Sequence, residues 1–147
     1  MLRAYNSKGS LLYRFRRPLL RGFVWFTRLM YWRLARRVAQ DIADYQRSGF
    51  EVVGIVGVAA SPSCGVATTL DLKQSFEVVA SCPLALMNRE VMNEQAVVDC
   101  RMAGEGLFVR ALKHQLNHRG LTVPFLQYDL VAEMRGQPHT AFDVRAA

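Results

Sequence analysis

From Pro18 onward, large apolar side chains recur every three or four positions. At about 100° per residue, Leu19, Phe23, Met30, Leu34 and Val38 share one face, while Arg14, Arg17, Arg21 and Arg28 fall together on another. Proline suits the first turn of a helix and glycine the position just past its end. Pro18 and Gly49 therefore bound one long amphipathic helix over residues 18–48, with Asp41 and Asp44 in its last turns. The run "FEVVGIVGV" (50–58) follows, with Glu51 its one charge. Without alternation, it reads as a strand buried on both faces, as parallel strands covered by helices are. "AASPSCGVATT" then makes a turn lined by small hydroxylated residues.

Further on the pattern is mixed. Residues 76–80 fit either a short strand or part of a helix, and residues 83–97 read as helix. From Glu105 the helical period is clear at Leu107, Phe108, Ala111, Leu112, Gln115 and Leu116, and Gly120 closes it. "LTVPFLQYDL" predicts a strand in which Pro124 limits ladder pairing. Helix, strand, helix, helix, strand is the order of an α/β domain. The predicted fold is a Rossmann-like three-layer domain with a mainly parallel sheet of three or four strands. Residues 50–58 form its central strand, with the long helix packed on the sheet. A doubly wound domain opens with a strand, and nothing before Pro18 supplies one. The sheet is thus expected to leave one apolar edge or face open, which favours pairing of two copies as a homodimer.

Charge sharpens the division of the chain. The 147 residues carry a formal +7, yet residues 1–47 alone hold 11 Lys/Arg against 2 Asp/Glu, and the remainder 8 against 10. The expected organisation is a basic arm (1–17), one α/β domain (18–135) and a loose tail (136–147). Arg21, Arg28 and Arg33 interrupt the apolar stretch after Pro18, so it is not a spanning segment. Arg16-Arg17 lacks the apolar run and cleavage site of a signal. Three cysteines make an odd count, too few for a disulfide framework. The expectation is a soluble cytoplasmic chain. Because Trp25, Tyr31 and Trp32 interleave with the arginines, a non-enzymatic module binding RNA or an anionic membrane is one functional reading.

The other reading concerns "SPSCG". In an open parallel sheet, ligands collect at the carboxyl ends of strands. There Cys64 sits on a turn between Ser63 and Gly65, a glycine that lets backbone amides approach a ligand. Donors converging on sulfur favour the thiolate that ligates metal or attacks. Cys82 and Cys100 follow at intervals of eighteen, and no Cys-x-x-Cys pair indicates a zinc ribbon or ferredoxin site. His114 and His118 share a helix face, read as a solvated basic face rather than a metal chelate. "GEG" at 104–106 opens a helix, a weak signal for an anion site.

The runs "GFEVVGIVGVAASPSCGVATTLDL" and "GEGLFVRALKHQLNHRGLTVPFLQYDL" resemble the relatives of 2-thiouracil desulfurase, a family of small cytosolic proteins of which some are called desulfidases. The likeness covers about residues 45–135, and "SPSCG" after an apolar strand is its most specific part. The resemblance implies a Rossmann-like domain holding a four-iron four-sulfur (4Fe-4S) cluster on three cysteines. One iron is left open to take sulfur from a thiolated nucleobase or similar small thio-compound. It implies Cys64 as the last cluster ligand, Ser61 and Ser63 as catalytic neighbours touching substrate or donating a proton, and Gly65 as the substrate-binding close approach. The other two ligands belong to a "CLLG"-like motif and a "CPE" motif, and neither occurs here. The ligand set is incomplete. An N-terminally shortened chain, a lineage that lost the cluster, and recruitment of Cys82 and Cys100 as replacement ligands are the explanations that stand.

Overall fold

The computed structural model describes residues 15–81, 97 and 99–136. Arg14, the side chain of Arg17, Cys82, the helix expected at 83–97 apart from Val97, His139 and the tail beyond Gly136 lie outside the described residues. In chain order the elements are α1 (Arg16–Arg47), β1 (Ile55–Val58), β2 (Thr68–Leu70) and α2 (Leu72–Ser81). They continue with β3 (Arg101–Ala103), α3 (Leu107–His118), β4 (Phe125–Tyr128) and α4 (Leu130–Met134).

α1 runs unbroken for 32 residues. Gly49 ends it at φ +85°, a left-handed conformation that glycine adopts without a Cβ penalty. The face that packs is not the expected one. Ala35, Ala39 and Ile42 are buried and Val38 is half-buried against α3, while Leu19, Phe23, Met30 and Leu34 are exposed. The stripe of large side chains points to solvent because α1 meets α3 across small ones. Two alanines on the contact face let the helix backbones approach closely. Leu112 and Leu116 fill the other side, joined by Val123 and flanked by Ile55 and Phe125. Burying each leucine contributes about 1.5–3 kcal/mol.

The strands form two small sheets. β1 and β4 are parallel, with Ile55 opposite Phe125 and Val58 opposite Tyr128. β2 and β3 are antiparallel, with Thr68 opposite Ala103 and Leu70 opposite Arg101. The architecture is α/β with a small parallel sheet, of two strands where three or four were expected. α1 and α3 both pack on the β1–β4 face that carries Ile55 and Phe125. On β1 the other face carries Val56 (56% exposed) and Val58, and both are open. The reading of residues 50–58 as a central strand buried on both sides is therefore corrected. The strand spans only its last four residues, and one face is covered. On β4 the neighbouring Leu126 and Tyr128 are half-buried, so the opening lies at β1.

Turn chemistry fixes the shorter elements. The ambiguous segment at 76–80 belongs to α2, which Asp71 begins by accepting the amides of Lys73 (2.8 Å) and Gln74 (3.1 Å). Asp129 does the same for α4, accepting from Val131 and Ala132 at 3.1 Å each. Pro124 lies just before β4, where its carbonyl accepts the Ile55 amide at 2.8 Å and its missing N–H costs the ladder nothing.

Candidate functional site

β1 leaves the sheet through Ala60, a buried residue held at φ +55°. Left-handed geometry is uncommon without glycine and persists where the surroundings enforce it. The Ala60 amide donates to Thr68 Oγ1 at 3.1 Å, and the Ala59 amide donates to the Tyr128 carbonyl at 2.7 Å. The chain is thereby aimed into the loop Ser61–Pro62–Ser63–Cys64–Gly65, at the carboxyl ends of the two parallel strands.

Within that loop the expected residues come together. The Cys64 amide donates to Ser61 Oγ at 3.0 Å. Ser61 Oγ lies 3.3 Å from Ser63 Oγ, which lies 3.4 Å from Cys64 Sγ. Because Ser61 accepts from the amide, its own proton is available to Ser63 and that of Ser63 to the half-buried sulfur. The loop thus carries a short hydroxyl chain ending on a thiol.

Close packing of backbone holds the loop in place. A Cβ at Gly65 would lie 2.0 Å from the Thr68 carbonyl oxygen, and one at Gly57 would lie 2.1 Å from that of Cys64. A Cβ at Gly106 would lie 2.3 Å from the Ser63 carbonyl oxygen. The space beside the Gly65 α-carbon is therefore filled by the chain itself. The start of α3 is likewise occupied. The Leu107 amide donates to the Pro62 carbonyl at 2.9 Å, and the amides of Phe108 and Val109 donate to that of Ser63 at 3.1 and 3.2 Å. The suggestion of an anion at "GEG" is corrected on that ground: these first-turn donors already hold the loop.

Residues not anticipated from the sequence complete the surroundings. Gln127 in β4 accepts at Oε1 from the amides of Ala67 (2.8 Å) and Thr68 (3.0 Å), pinning the far side of the loop. Asp129 pairs with Arg101 at 3.0 Å. Partial burial pushes the Asp129 carboxyl up. The Ala132 amide, the hydrogen bond and charge of Arg101 and the Val131 amide outweigh that and hold it below its ordinary value. Next to it, the Tyr128 hydroxyl donates to Glu133. That bond, with desolvation and the carboxylate's charge, holds the phenol above its ordinary value. The available signal was "QYD" at the end of a strand parallel to the one that carries the loop. A cleft of about 320 Å³ lies beside the site, between α1, α3 and the β2–β3 ribbon. Pro62 lines it, whereas Ser61, Ser63 and Cys64 do not.

A 4Fe-4S cluster on three protein cysteines needs three thiolates converging on one spot. Cys64 supplies one. Cys100 is buried at the end of the β2–β3 ribbon away from the loop, where its carbonyl accepts the Asp71 amide at 2.9 Å. Cys82 lies outside the described residues. His114 and His118 are both exposed on α3, and no group of three or more His, Cys, Asp or Glu among the described residues could hold a metal ion. These residues do not make up the ligand set. No helix among them is long and apolar enough to cross a membrane.

Compared with protein-family models, curated proteins and solved structures, the chain matches none. The class that fold and site define is an α/β chain with a thiol-bearing loop at the carboxyl end of a parallel strand pair.

Proposed function

We propose that the chain is a desulfidase-like protein that binds a thiolated nucleobase or similar small thio-compound at the loop Ser61–Gly65. The observation that carries this reading is the hydroxyl chain from Ser61 through Ser63 to the Cys64 sulfur, at a strand end where α/β proteins collect ligands. The likeness of "SPSCG" and its flanks to the 2-thiouracil desulfurase relatives supports it, as does the strained exit through Ala60. A Rossmann-like three-layer domain is part of the same proposal. In this reading water replaces sulfur at the thiocarbonyl carbon, the sulfur leaves as hydrosulfide, and Cys64 lies against the departing sulfur. On binding, the Ser63 hydroxyl turns its proton from the Cys64 sulfur to the thiocarbonyl, while Ser61, fixed by the Cys64 amide, remains the donor to Ser63. Gly65 keeps the turn tight enough to present all three. No step is assigned to a cluster, because the described residues supply only one of its thiolates at this place.

Anaerobic incubation of the full chain with iron and sulfide tests the assignment, read by bound iron and by sulfide released from 2-thiouracil. The expected result is sulfide release that Cys64→Ser abolishes. Loss of bound iron in Cys82→Ser and Cys100→Ser as well would assign those residues as replacement ligands. Absence of sulfide release from the iron-loaded chain, or release unchanged by Cys64→Ser, overturns the reading.

A further inference from the structure

The outward arc of α1 changes character along its length. Over residues 15–34 it presents Phe15, Leu19, Trp25 (67% exposed), Phe26 (60%), Met30 and Leu34 to solvent. One neighbour, Phe23, sets its ring edge-on against Phe76 with centroids 6.1 Å apart and is still about half exposed. On the helical wheel Arg21 and Arg28 fall on the opposite side, in line with Ala35 and Ala39, and Arg28 lines the cleft between α1 and α3. Arg33, Arg36 and Arg37, all exposed, close the arc at its carboxyl end. No acidic residue occurs between positions 19 and 40. An apolar bed with three arginines at its carboxyl end is the result.

We infer that this half of α1 is an interfacial anchor that lies in the surface of an anionic lipid bilayer. Its apolar arc sinks to the acyl boundary and its arginines meet the headgroup phosphates. Charge decides between occupants. A second copy would set three arginines against three, with Asp41 the one carboxylate of α1 beside them, a net repulsion at close range. RNA offers phosphates and stackable bases, and no apolar bed for Leu19, Met30 and Leu34. A bilayer with anionic headgroups supplies both layers at the depths an amphipathic helix requires. The helix is too charged to span, so it lies flat. The arginines concerned are not those grouped by sequence periodicity alone. They are Arg33, Arg36 and Arg37, because the structure puts the apolar stripe outside. None of these residues belongs to the Ser61–Gly65 loop, so this inference and the desulfidase reading fail independently.

Co-sedimentation of the full chain tests it, using vesicles of phosphatidylcholine alone and of phosphatidylcholine with phosphatidylglycerol in equal parts. The expected result is binding to the anionic vesicles in preference to the neutral ones, with a blue shift of tryptophan emission. A combined Leu19→Ser, Phe26→Ser and Met30→Ser variant, altered only at exposed positions, lowers the partition coefficient at least about tenfold. Arg33→Gln, Arg36→Gln and Arg37→Gln together lower it on anionic vesicles by about tenfold to a hundredfold and erase the preference over neutral ones. Equal binding of the unaltered chain to both vesicle types overturns the inference without any variant. So does retention on single-stranded RNA, or self-association lost in the serine variant, when neither vesicle type is bound.

Discussion

In α1, residues 35–47 turn small side chains inward and charges outward, whereas residues 16–34 turn large apolar side chains outward. The first arrangement is the ordinary surface helix: Ala35 and Ala39 are fully buried against α3, and Arg36, Arg37, Asp41, Asp44 and Arg47 face water. In the second, Leu20, Val24 and Tyr31 are half-buried on the inner side, and the larger apolar surface lies outside. One unbroken helix therefore obeys two rules. Which rule applies depends on what stands beside it. α3 lies against the later half, and its leucines need a neighbour of low profile. The earlier half meets α3 on its inner side, where Tyr31 packs against Phe108, and its outer arc has no core to join among the described residues.

Substitution separates the two halves. The largest effect is expected at Ala39→Leu, which forces extra volume between α1 and α3 and should lower stability by about 1–3 kcal/mol, seen as a fall in the urea midpoint. A midpoint left in place would mean that the two helices are not closely packed there. A cap outside α1 calibrates the scale. Asp129→Ala removes the acceptor for two α4 amides and the partner of Arg101, and should cost about 1 kcal/mol near neutral pH. Since folding lowers the Asp129 pKa, its ionised form is the one that stabilises. The contribution is complete above the ordinary carboxylate value and fades as pH falls below it, so parent and variant should converge in acid. The smallest effect belongs to the earlier half. Phe26→Ser should move the urea midpoint by no more than about 0.5 kcal/mol in the absence of lipid. A larger loss would show that the exposed arc is covered within the protein, and the contrast between the halves would fail.

Sequence periodicity located α1 and its end at Gly49, the end of α3 at Gly120, and a strand within "LTVPFLQYDL", because glycine placement and apolar spacing act locally. It misjudged which face of α1 is inside. Periodicity weighs side chains by size, and Leu19, Phe23, Met30 and Leu34 outweigh Ala35 and Ala39, although close helix contact selects the small residues. The strand at 50–58 was overextended for a related reason. A β-branched run shows that a segment can be covered on both faces, and coverage depends on elements far away in the chain. At the site, "SPSCG" was legible because cysteine, serine and glycine at a strand end form a local pattern. Gln127 was not, since it reaches the loop from sixty positions away and carries no motif of its own. The arrangement of the Ser61–Ser63–Cys64 chain likewise depends on where Gly57 and Gly106 allow backbone to touch backbone.

The hydrogen bonds between the loop and the start of α3 have a dynamic consequence. Helix ends ordinarily fray because their first amides face water. Here the amides of Leu107, Phe108 and Val109 are bound to the Pro62 and Ser63 carbonyls, with Gly106 wedged against the same peptide. The first turn of α3 is thus held like a helix interior, and it cannot open without releasing the loop. Loop and helix start form one cooperative unit, so Cys64 inherits the rigidity of the core-forming helix rather than the mobility of a surface turn.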